Sequence, residues 1–241
     1  MITPTLAPAV LPPGQRVYAV GDVHGCADRL DLMHAAIADD LARRPVADAL
    51  VIHLGDLIDR GPDSAGVIAR LLQPFPCAGI KPPHVASLLG NHEDMLLATL
   101  ASGDRRHAAQ WLANGGGETL ASWKISWRDT PREWEAAIPP AQLGFLRGLP
   151  LIHRVGGYAF VHAGLRPNTP LAEQARHDLL WIREPFLSFA GTLPAVAVHG
   201  HTPEERPAVR PHRIGVDTGA VMAGPLTCAV LQTNQVGFLQ T

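Results

Sequence analysis

Three polar motifs recur at nearly equal spacing along the first part of the chain, and each follows a short apolar run. Asp22, Asp56 and Asn91 each stand directly after a glycine, and the intervals between them are 34 and 35 positions. A strand, a crossover helix and a second parallel strand take roughly 30 residues or more, so this interval is typical of βαβ units. The carboxyl ends of such strands share one sheet edge, where ligands bind in open α/β folds. The spacing therefore predicts an α/β fold with the polar motifs at one edge.

The segments between the motifs fit this arrangement. Residues 28–41 carry apolar side chains at helical spacing, with Asp28 as a candidate N-cap. A second helix is predicted to begin at Asp63 or Ser64, and a third covers 93–100. The predicted strands are 17–20, 49–54, 85–89, 151–155, 158–161, 195–198 and 227–231. Strands thus alternate with helices early in the chain and become more frequent after its middle.

Length and composition predict one fairly large domain with a sizeable core. The chain has 241 residues, of which 46% are hydrophobic, enough to exclude a disordered protein. Residues 1–14 hold four prolines and are expected to form a loose tail before a single domain over 15–241. Residues 102–150 hold four of the five tryptophans. We expect this segment to form short helices that cap the active-site edge, with the tryptophans as its core.

Net charge, the length of apolar runs and cysteine usage each limit the partners and the location that we expect. The formal net charge is −2 and there is no long basic stripe, so we expect no nucleic-acid partner. No apolar run reaches the roughly 18 residues that a transmembrane helix needs, so we expect no membrane association. The three scattered cysteines indicate a reducing compartment without a disulfide framework, which predicts a cytoplasmic location.

Two further motifs, at 161–164 and 200–203, add imidazoles to the carboxylates and the amide of the first three. Asp22 and His24 are two positions apart, so their side chains point to the same side of extended backbone. The candidate ligands are Asp22, His24 and Asp56 for a first ion, and Asp56, Asn91, His162 and His201 for a second. Such nitrogen and oxygen ligands suit two divalent ions, Mn²⁺ with Fe or Zn²⁺ as alternatives. The predicted site therefore holds two metals, an arrangement that cleaves phosphate esters.

The remaining polar residues of the motifs suit the other roles that phosphoester cleavage needs. His92 adjoins the ligand Asn91 and is the candidate general acid for the leaving group. Asp59 is the candidate partner that holds the His92 tautomer and raises its pKa. Arg60 and Arg183 are the candidate groups that bind phosphate oxygens with their guanidinium forks.

Two residues near these motifs have other interpretations. His199 lies two positions before His201 and could compete with it as a ligand, although its place at a strand end makes it the weaker candidate. Asp217, within Gly-Val-Asp-Thr-Gly, is expected to form a turn near the site without binding metal.

The five motifs resemble those of the calcineurin-like metallophosphoesterases. Within that family, Gly-Asp-Leu-Ile-Asp-Arg-Gly at 55–61 and Gly-Asn-His-Glu at 90–93 are similar to the phosphoprotein phosphatase branch, including small bacterial and phage-lambda-type serine/threonine phosphatases. The likeness extends to Trp-Ile-Arg-Glu at 181–184 and to 216–220, and covers about residues 15–232.

This resemblance implies a β-sandwich flanked by helices, with the metal site at the carboxyl ends of the strands. It implies two metal ions, often Mn²⁺, and in-line attack by a metal-bridging hydroxide. It also implies His201, not His199, as the ligand, and Arg183 as a phosphate clamp. The expected substrate is a phosphorylated protein or a small phosphoester, and the expected enzyme is a serine/threonine protein phosphatase.

Two other functions remain open at this point. Symmetrical diadenosine tetraphosphate hydrolases share the fold and most ligands. They differ at two positions: they carry Asp after Gly-Asn-His, where this chain has Glu93, and they lack the Asp before Arg-Gly, which is Asp59 here. A non-catalytic phospho-binding module would require the loss of a ligand or of the acid, and none is missing from the sequence.

Overall fold

A computed structural model describes residues 2–241 as two β-sheets whose inner faces pack against each other. In chain order the strands are β1 (Thr5–Leu6), β2 (Gln15–Val20), β3 (Asp48–His53), β4 (His84–Ser87), β5 (Ile152–Val155), β6 (Tyr158–Val161), β7 (Val196–His199), β8 (Ala208–Arg210), β9 (Arg213–Gly215), β10 (Thr227–Gln232) and β11 (Gln235–Gln240). The first sheet has the order β1-β11-β10-β2-β3-β4, and the second has the order β5-β6-β7-β9-β8. The predicted β-sandwich is confirmed.

Helices cover the outer faces of the sandwich. They are α1 (Ala27–Arg43), α2 (Ser64–Leu71), α3 (Asn91–Ser102), α4 (Arg105–Trp111), α5 (Gly117–Ser122), α6 (Pro131–Ala137), α7 (Pro140–Arg147) and α8 (Arg176–Trp181), with a π-helical turn at Leu112–Gly116. Strands β2, β3 and β4 are parallel, as are β6, β7 and β9, so crossovers must return the chain between them. In the part of the chain that the structure describes, no helix is long and apolar enough to cross a membrane.

Strand β2 shows why its sequence is apolar almost throughout. Val17 and Ala19 point into the core between the sheets, whereas Tyr18 and Val20 point into the core beneath the helices. Because successive side chains of a strand face opposite sides, a strand covered on both faces needs apolar residues at every position.

The element boundaries differ from those predicted mainly at helix starts. Helix α1 begins at Ala27, so Asp28 lies inside the first turn and makes no cap; Cys26 precedes the helix without a side-chain hydrogen bond. Helix α2 does follow Asp63, whose carboxylate accepts from the Gly66 amide at 2.8 Å. An acidic residue in the first turn interacts favourably with the helix dipole without capping it, which explains the ambiguity at Asp28.

The expectation of a loose N-terminal tail is wrong for its central part. Thr5–Leu6 pairs with β11 as an edge strand, and Leu11 is buried between the sheets. The Leu11 amide donates to the Thr233 carbonyl at 2.8 Å. Prolines in this segment are compatible with order because an edge strand leaves many of its amides unpaired in any case.

Residues 102–150, called the cap segment from here on, form helices α4 to α7 and the π-helical turn. Trp111 and Trp134 are buried in the core that also contains α1, α2 and α3. Trp127, by contrast, is 55% exposed. The segment therefore packs on the helical layer beside the site, with one tryptophan left outside the core.

Candidate metal centre and its surroundings

The predicted ligands come together from both sheets. Asp22 and His24 follow β2, Asp56 follows β3, Asn91 begins α3, His162 follows β6 and His201 follows β7. Ligand atoms within 4.8 Å of one another form two groups, which are His24, Asp56 and His92, and Asp56, His162 and His201. Asp56 belongs to both groups, as a bridging carboxylate would.

The backbone at the site is held in an uncommon conformation. His24, Asp56, Asp59, Arg60 and His201 have φ values of 44°, 48°, 72°, 69° and 63°. Left-handed backbone is uncommon for residues other than glycine, and its concentration here indicates that the fold holds these side chains in imposed positions. At Gly90 the constraint is steric, because a Cβ at this position would collide with the Asp56 amide nitrogen.

Acceptor atoms face one another at the second group of ligands. His162 Nδ1 lies 2.9 Å from the Leu54 carbonyl, which can only accept, so in the neutral ring the proton is on Nδ1. The bare Nε2 then lies 2.8 Å from Asn91 Oδ1 and 3.3 Å from Asp56 Oδ1. Three acceptors that converge in this way fit a cation between them.

His24 and His201 are also held as neutral ligands. His24 Nδ1 donates to the Ile58 carbonyl at 2.9 Å, so Nε2 of the neutral ring carries no proton and can act as an acceptor. His201 Nε2 is buried without a hydrogen-bond partner. Burial lowers the pKa of His24 to about 4 and that of His201 to about 3, so both rings are neutral at pH 7, the form that binds metal.

Several carboxylates are buried close together at the same edge. Asp22 accepts from the His201 amide at 3.0 Å and belongs to neither of the two groups. Burial, together with the charges of Asp217 and Asp56, raises the pKa of Asp22 well above its ordinary value. Asp217 forms the expected turn by accepting from the Gly219 amide at 2.9 Å, and burial raises its pKa to about 6. Since buried like charges are costly without compensation, this cluster also fits bound cations.

Glu93 has a role that the sequence pattern did not assign. Its carboxylate accepts from the amides of Gly90, Asp56, Leu57 and Ile58 at 2.7–3.1 Å. Burial and the Asp56 charge raise its pKa to about 8, against the effect of these donors. The side chain ties the start of α3 to the loop that carries Asp56. The signal was available, since a glutamate three residues after a cap position is the capping-box spacing.

His92 is oriented by a chain of buried side chains. Its Nδ1 lies 2.7 Å from Asp59 Oδ2, and its Nε2 lies 3.9 Å from Asp56 Oδ2. Asp59 in turn accepts from Trp111 Nε1 at 2.8 Å and from Thr119 Oγ1 at 2.7 Å. Sequence reasoning missed Trp111 and Thr119, which are 52 and 60 positions from Asp59.

Opposing effects set the protonation of this histidine. Burial lowers the pKa of His92, but the Asp56 charge and the hydrogen bond to Asp59 outweigh it, so the pKa is raised above its ordinary value. The arrangement can therefore supply a proton near the shared carboxylate at neutral pH.

Both candidate arginines lie at the exposed rim of the site. Arg60 Nη1 lies 3.1 Å from His24 Nε2, and Arg183 Nη2 lies 3.4 Å from the His201 carbonyl. His199, the competing ligand, is buried with its Nδ1 2.9 Å from the Gly200 carbonyl and its Nε2 3.4 Å from Arg213. The structure thus brings His201 into the ligand groups and leaves His199 among structural contacts.

Comparison with known proteins agrees with this geometry. A family model described as calcineurin-like phosphoesterase matches residues 15–235. A Salmonella typhimurium protein named serine/threonine-protein phosphatase 1 is 32% identical over 227 residues, which are 90% of this chain and 93% of that protein. An Acidovorax protein named symmetrical bis(5'-nucleosyl)-tetraphosphatase is 35% identical over 185 residues, which are 75% of this chain and 50% of that protein. A solved structure provisionally named a diadenosine tetraphosphatase has a TM-score of 0.66 at 25% identity and covers 96% of both chains.

Proposed function

Because this chain belongs to the calcineurin-like phosphoesterase family, we propose that it is a metal-dependent phosphomonoesterase that prefers phosphoserine and phosphothreonine in proteins. The family and its phosphatase-named relatives make the chain a hydrolase of phosphate esters. The observation that supports the narrower proposal is the buried His92–Asp59 pair, whose imidazole Nε2 lies 3.9 Å from the shared carboxylate of Asp56.

The proposed metal ligands are six residues at one edge of the sandwich, namely Asp22, His24, Asp56, Asn91, His162 and His201. Divalent ions at such a site activate water and neutralise phosphate oxygens. The nitrogen and oxygen donors favour Mn²⁺, with Fe or Zn²⁺ as alternatives. Burial keeps His24 and His162 neutral, and their hydrogen bonds to backbone carbonyls hold the ring proton on Nδ1. Glu93 holds the loop that carries Asp56.

The leaving group distinguishes the candidate substrates. A serine or threonine alkoxide is strongly basic and leaves only if it receives a proton, whereas a nucleoside polyphosphate leaves as an anion that already spreads its charge. A protein phosphatase therefore depends more strongly on a general acid. His92 meets this need, because Asp59 holds its Nδ1 and leaves Nε2 to carry the transferable proton.

The two rim arginines support recognition of one terminal phosphoryl group. Arg60 lies beside His24 and Arg183 beside His201, so they approach the site from opposite ligand groups. A guanidinium pair in this position can bind non-bridging oxygens and stabilise the charge that develops on them.

Hydrolysis of symmetrical dinucleoside tetraphosphates is the second candidate. The observation in its favour is the 35% identity to a protein that bears this name, although this chain spans half the length of that protein. The same metal ligands and arginines would serve both reactions, so the two functions differ in the leaving group and in what lies beside the site.

A substrate panel with Mn²⁺ tests the proposal. We expect kcat/KM on phosphoserine or phosphothreonine peptides to exceed that on diadenosine tetraphosphate and on phosphotyrosine peptides, with p-nitrophenyl phosphate as the reference. Arg183→Ala should lose roughly 10²-fold in kcat/KM, and Arg183→Lys should recover only part because it lacks the bidentate fork. More efficient turnover of the dinucleotide than of every phosphopeptide would contradict the proposal.

A further inference from the structure

The cap segment carries an open groove on its outer surface, between α4 and the stretch that leads into α6. Its volume is about 360 Å³. The floor is formed by Ala108, Leu112 and Trp134, and the rim by Arg105, Trp127 and Arg128. The groove therefore combines an apolar floor with a cationic, aromatic rim, and none of these side chains takes part in the proposed reaction.

Trp127 is placed to contact a ligand. It is 55% exposed, whereas Trp111 and Trp134 of the same segment are buried. The Arg128 guanidinium stacks on its ring, with Cζ 4.4 Å from the ring centroid. A large aromatic side chain left in water beside a guanidinium is typical of the residues that dominate binding interfaces.

The groove lining carries two arginines and one acidic residue, so its net charge is positive. No ion pair among residues 2–241 includes Arg105 or Arg128, whereas eight other arginines form ion pairs. Two further acidic side chains of this segment lie outside the lining and bond backbone amides at helix starts. Asp104 accepts from the Arg106 amide at 2.9 Å, and Glu133 accepts from the Thr130 amide at 2.6 Å. Asp129 is the single acidic residue in the groove lining, so the groove is complementary to an acidic ligand.

The groove is connected to the reaction site through the cap segment. Leu112 lines the groove, and three residues later the Gly115 carbonyl accepts from the Arg60 amide at 3.0 Å. Since consecutive Cα atoms are 3.8 Å apart, these two points are separated by at most about 11 Å. About four to six extended residues are long enough to cover this separation together with the length of the Arg60 side chain.

We propose that this groove binds an acidic segment of the phosphoprotein substrate, with a large apolar side chain against Trp127 and carboxylates beside Arg105 and Arg128. This rests on the proposed function, because it assigns the groove to a protein substrate. A dinucleotide has no acidic polypeptide to place there, and a nucleic acid carries a phosphate at every nucleotide, more negative charge than two arginines beside one aspartate can balance.

The first experiment measures binding without catalysis. A fluorescent, unphosphorylated peptide rich in glutamate, with one central leucine, is titrated with the full chain in a polarisation assay. Trp127→Ala and the double variant R105E/R128E should each raise Kd roughly tenfold. Arg154→Glu is the matched control, since Arg154 is exposed on β5 and belongs to no ion pair among residues 2–241. Its Kd should equal that of the unchanged chain.

The second experiment measures catalysis on three substrates. On a phosphoserine peptide with this acidic segment about five residues from the phosphoserine, R105E/R128E should raise KM roughly tenfold with kcat unchanged. On a peptide with serine and glycine in place of the segment, and on p-nitrophenyl phosphate, the same variant should behave as the unchanged chain. Thermal unfolding of each variant reports whether its fold is retained.

The outcomes separate the two proposals. If the acidic peptide binds at the groove but no phosphopeptide is hydrolysed, the proposed protein phosphatase function fails while an acidic-peptide site is supported. If phosphopeptides are hydrolysed but R105E/R128E and Arg154→Glu weaken binding equally, the groove assignment is overturned. Tighter binding of a single-stranded oligonucleotide than of the peptide would also overturn it, because the occupant would then be a nucleic acid.

Discussion

The two sides of the reaction site are built in different ways. On the ligand side, His24 and His162 are held by the carbonyls of Ile58 and Leu54, which belong to the adjoining β3–α2 loop. On the acid side, His92 is held by Asp59, which depends on side chains contributed by the cap segment. The ligand side thus relies on backbone that the sandwich itself provides, and the acid side on tertiary contacts with a separate helical segment. Metal binding and proton transfer should therefore be separable by mutation.

The largest effect is expected on the ligand side, at Asp56. Asp56→Asn removes a charge shared by both ligand groups, so bound metal should fall below two ions per chain and kcat by at least about 10³-fold. Elemental analysis of the purified variant, with circular dichroism as the control for the fold, checks this. Two ions still bound per chain would contradict a bridging role for Asp56.

On the acid side, His92→Asn should leave the metal content unchanged. General acid catalysis contributes about 10²–10⁴-fold, and we expect a loss of that size on a phosphoserine peptide. The loss on p-nitrophenyl phosphate should be much smaller, because p-nitrophenolate leaves without a proton. Equal losses on the two substrates would indicate that His92 positions the phosphate instead.

A change at Asp59 should alter the pH profile before it alters metal binding. The hydrogen bond to Asp59 raises the pKa of His92, and the acid acts in its protonated form, so activity falls as pH rises through that pKa. Asp59→Asn lowers the pKa and should move this alkaline limb to lower pH, with a roughly 10- to 100-fold lower rate at neutral pH. If the alkaline limb of the pH–activity profile does not move, the group that titrates there is not His92.

The smallest effect is expected at Trp111, at the far end of the same chain of contacts. Trp111→Phe removes one donor to Asp59 but keeps Thr119 and most of the packing, so kcat should fall only severalfold. Trp134→Phe is the matched control, since its indole donates to the Ser126 carbonyl and not to Asp59. If both variants lose the same activity, the effect comes from packing in the cap segment.

The comparison of the ligand side with the acid side also shows which parts of the site could be predicted from the sequence. The ligand candidates were found because each follows a strand, and the carboxyl ends of parallel strands meet at one edge. Glu93 lies at capping-box spacing but contacts a loop 35 to 37 positions away, so its full role depended on the packing of α3 against that loop. Helix α1 was predicted, but its start was not, because Asp28 suits both a cap and a first turn.

The N-terminal segment and the cap segment were the least predictable regions. Leu11 is buried where the β10–β11 turn at Thr233 and the 156–157 turn lie beside it, and these come from the far end and the middle of the chain. In the cap segment, hydrophobicity suggested that the tryptophans are core residues. It did not distinguish Trp111, which binds Asp59, from Trp127, which lies in water.

The sequence by itself determined the family through its motifs, and it gave the six candidate ligands because they stand near predicted strand ends and the family resemblance favours His201 over His199. The tertiary structure alone decided which atoms of those ligands face one another, how Asp59 is held, and which surface of the cap segment remains open. These features arise from contacts between residues that are tens to hundreds of positions apart. Their geometry depends on how the two sheets and the helical layer pack, which no local pattern specifies.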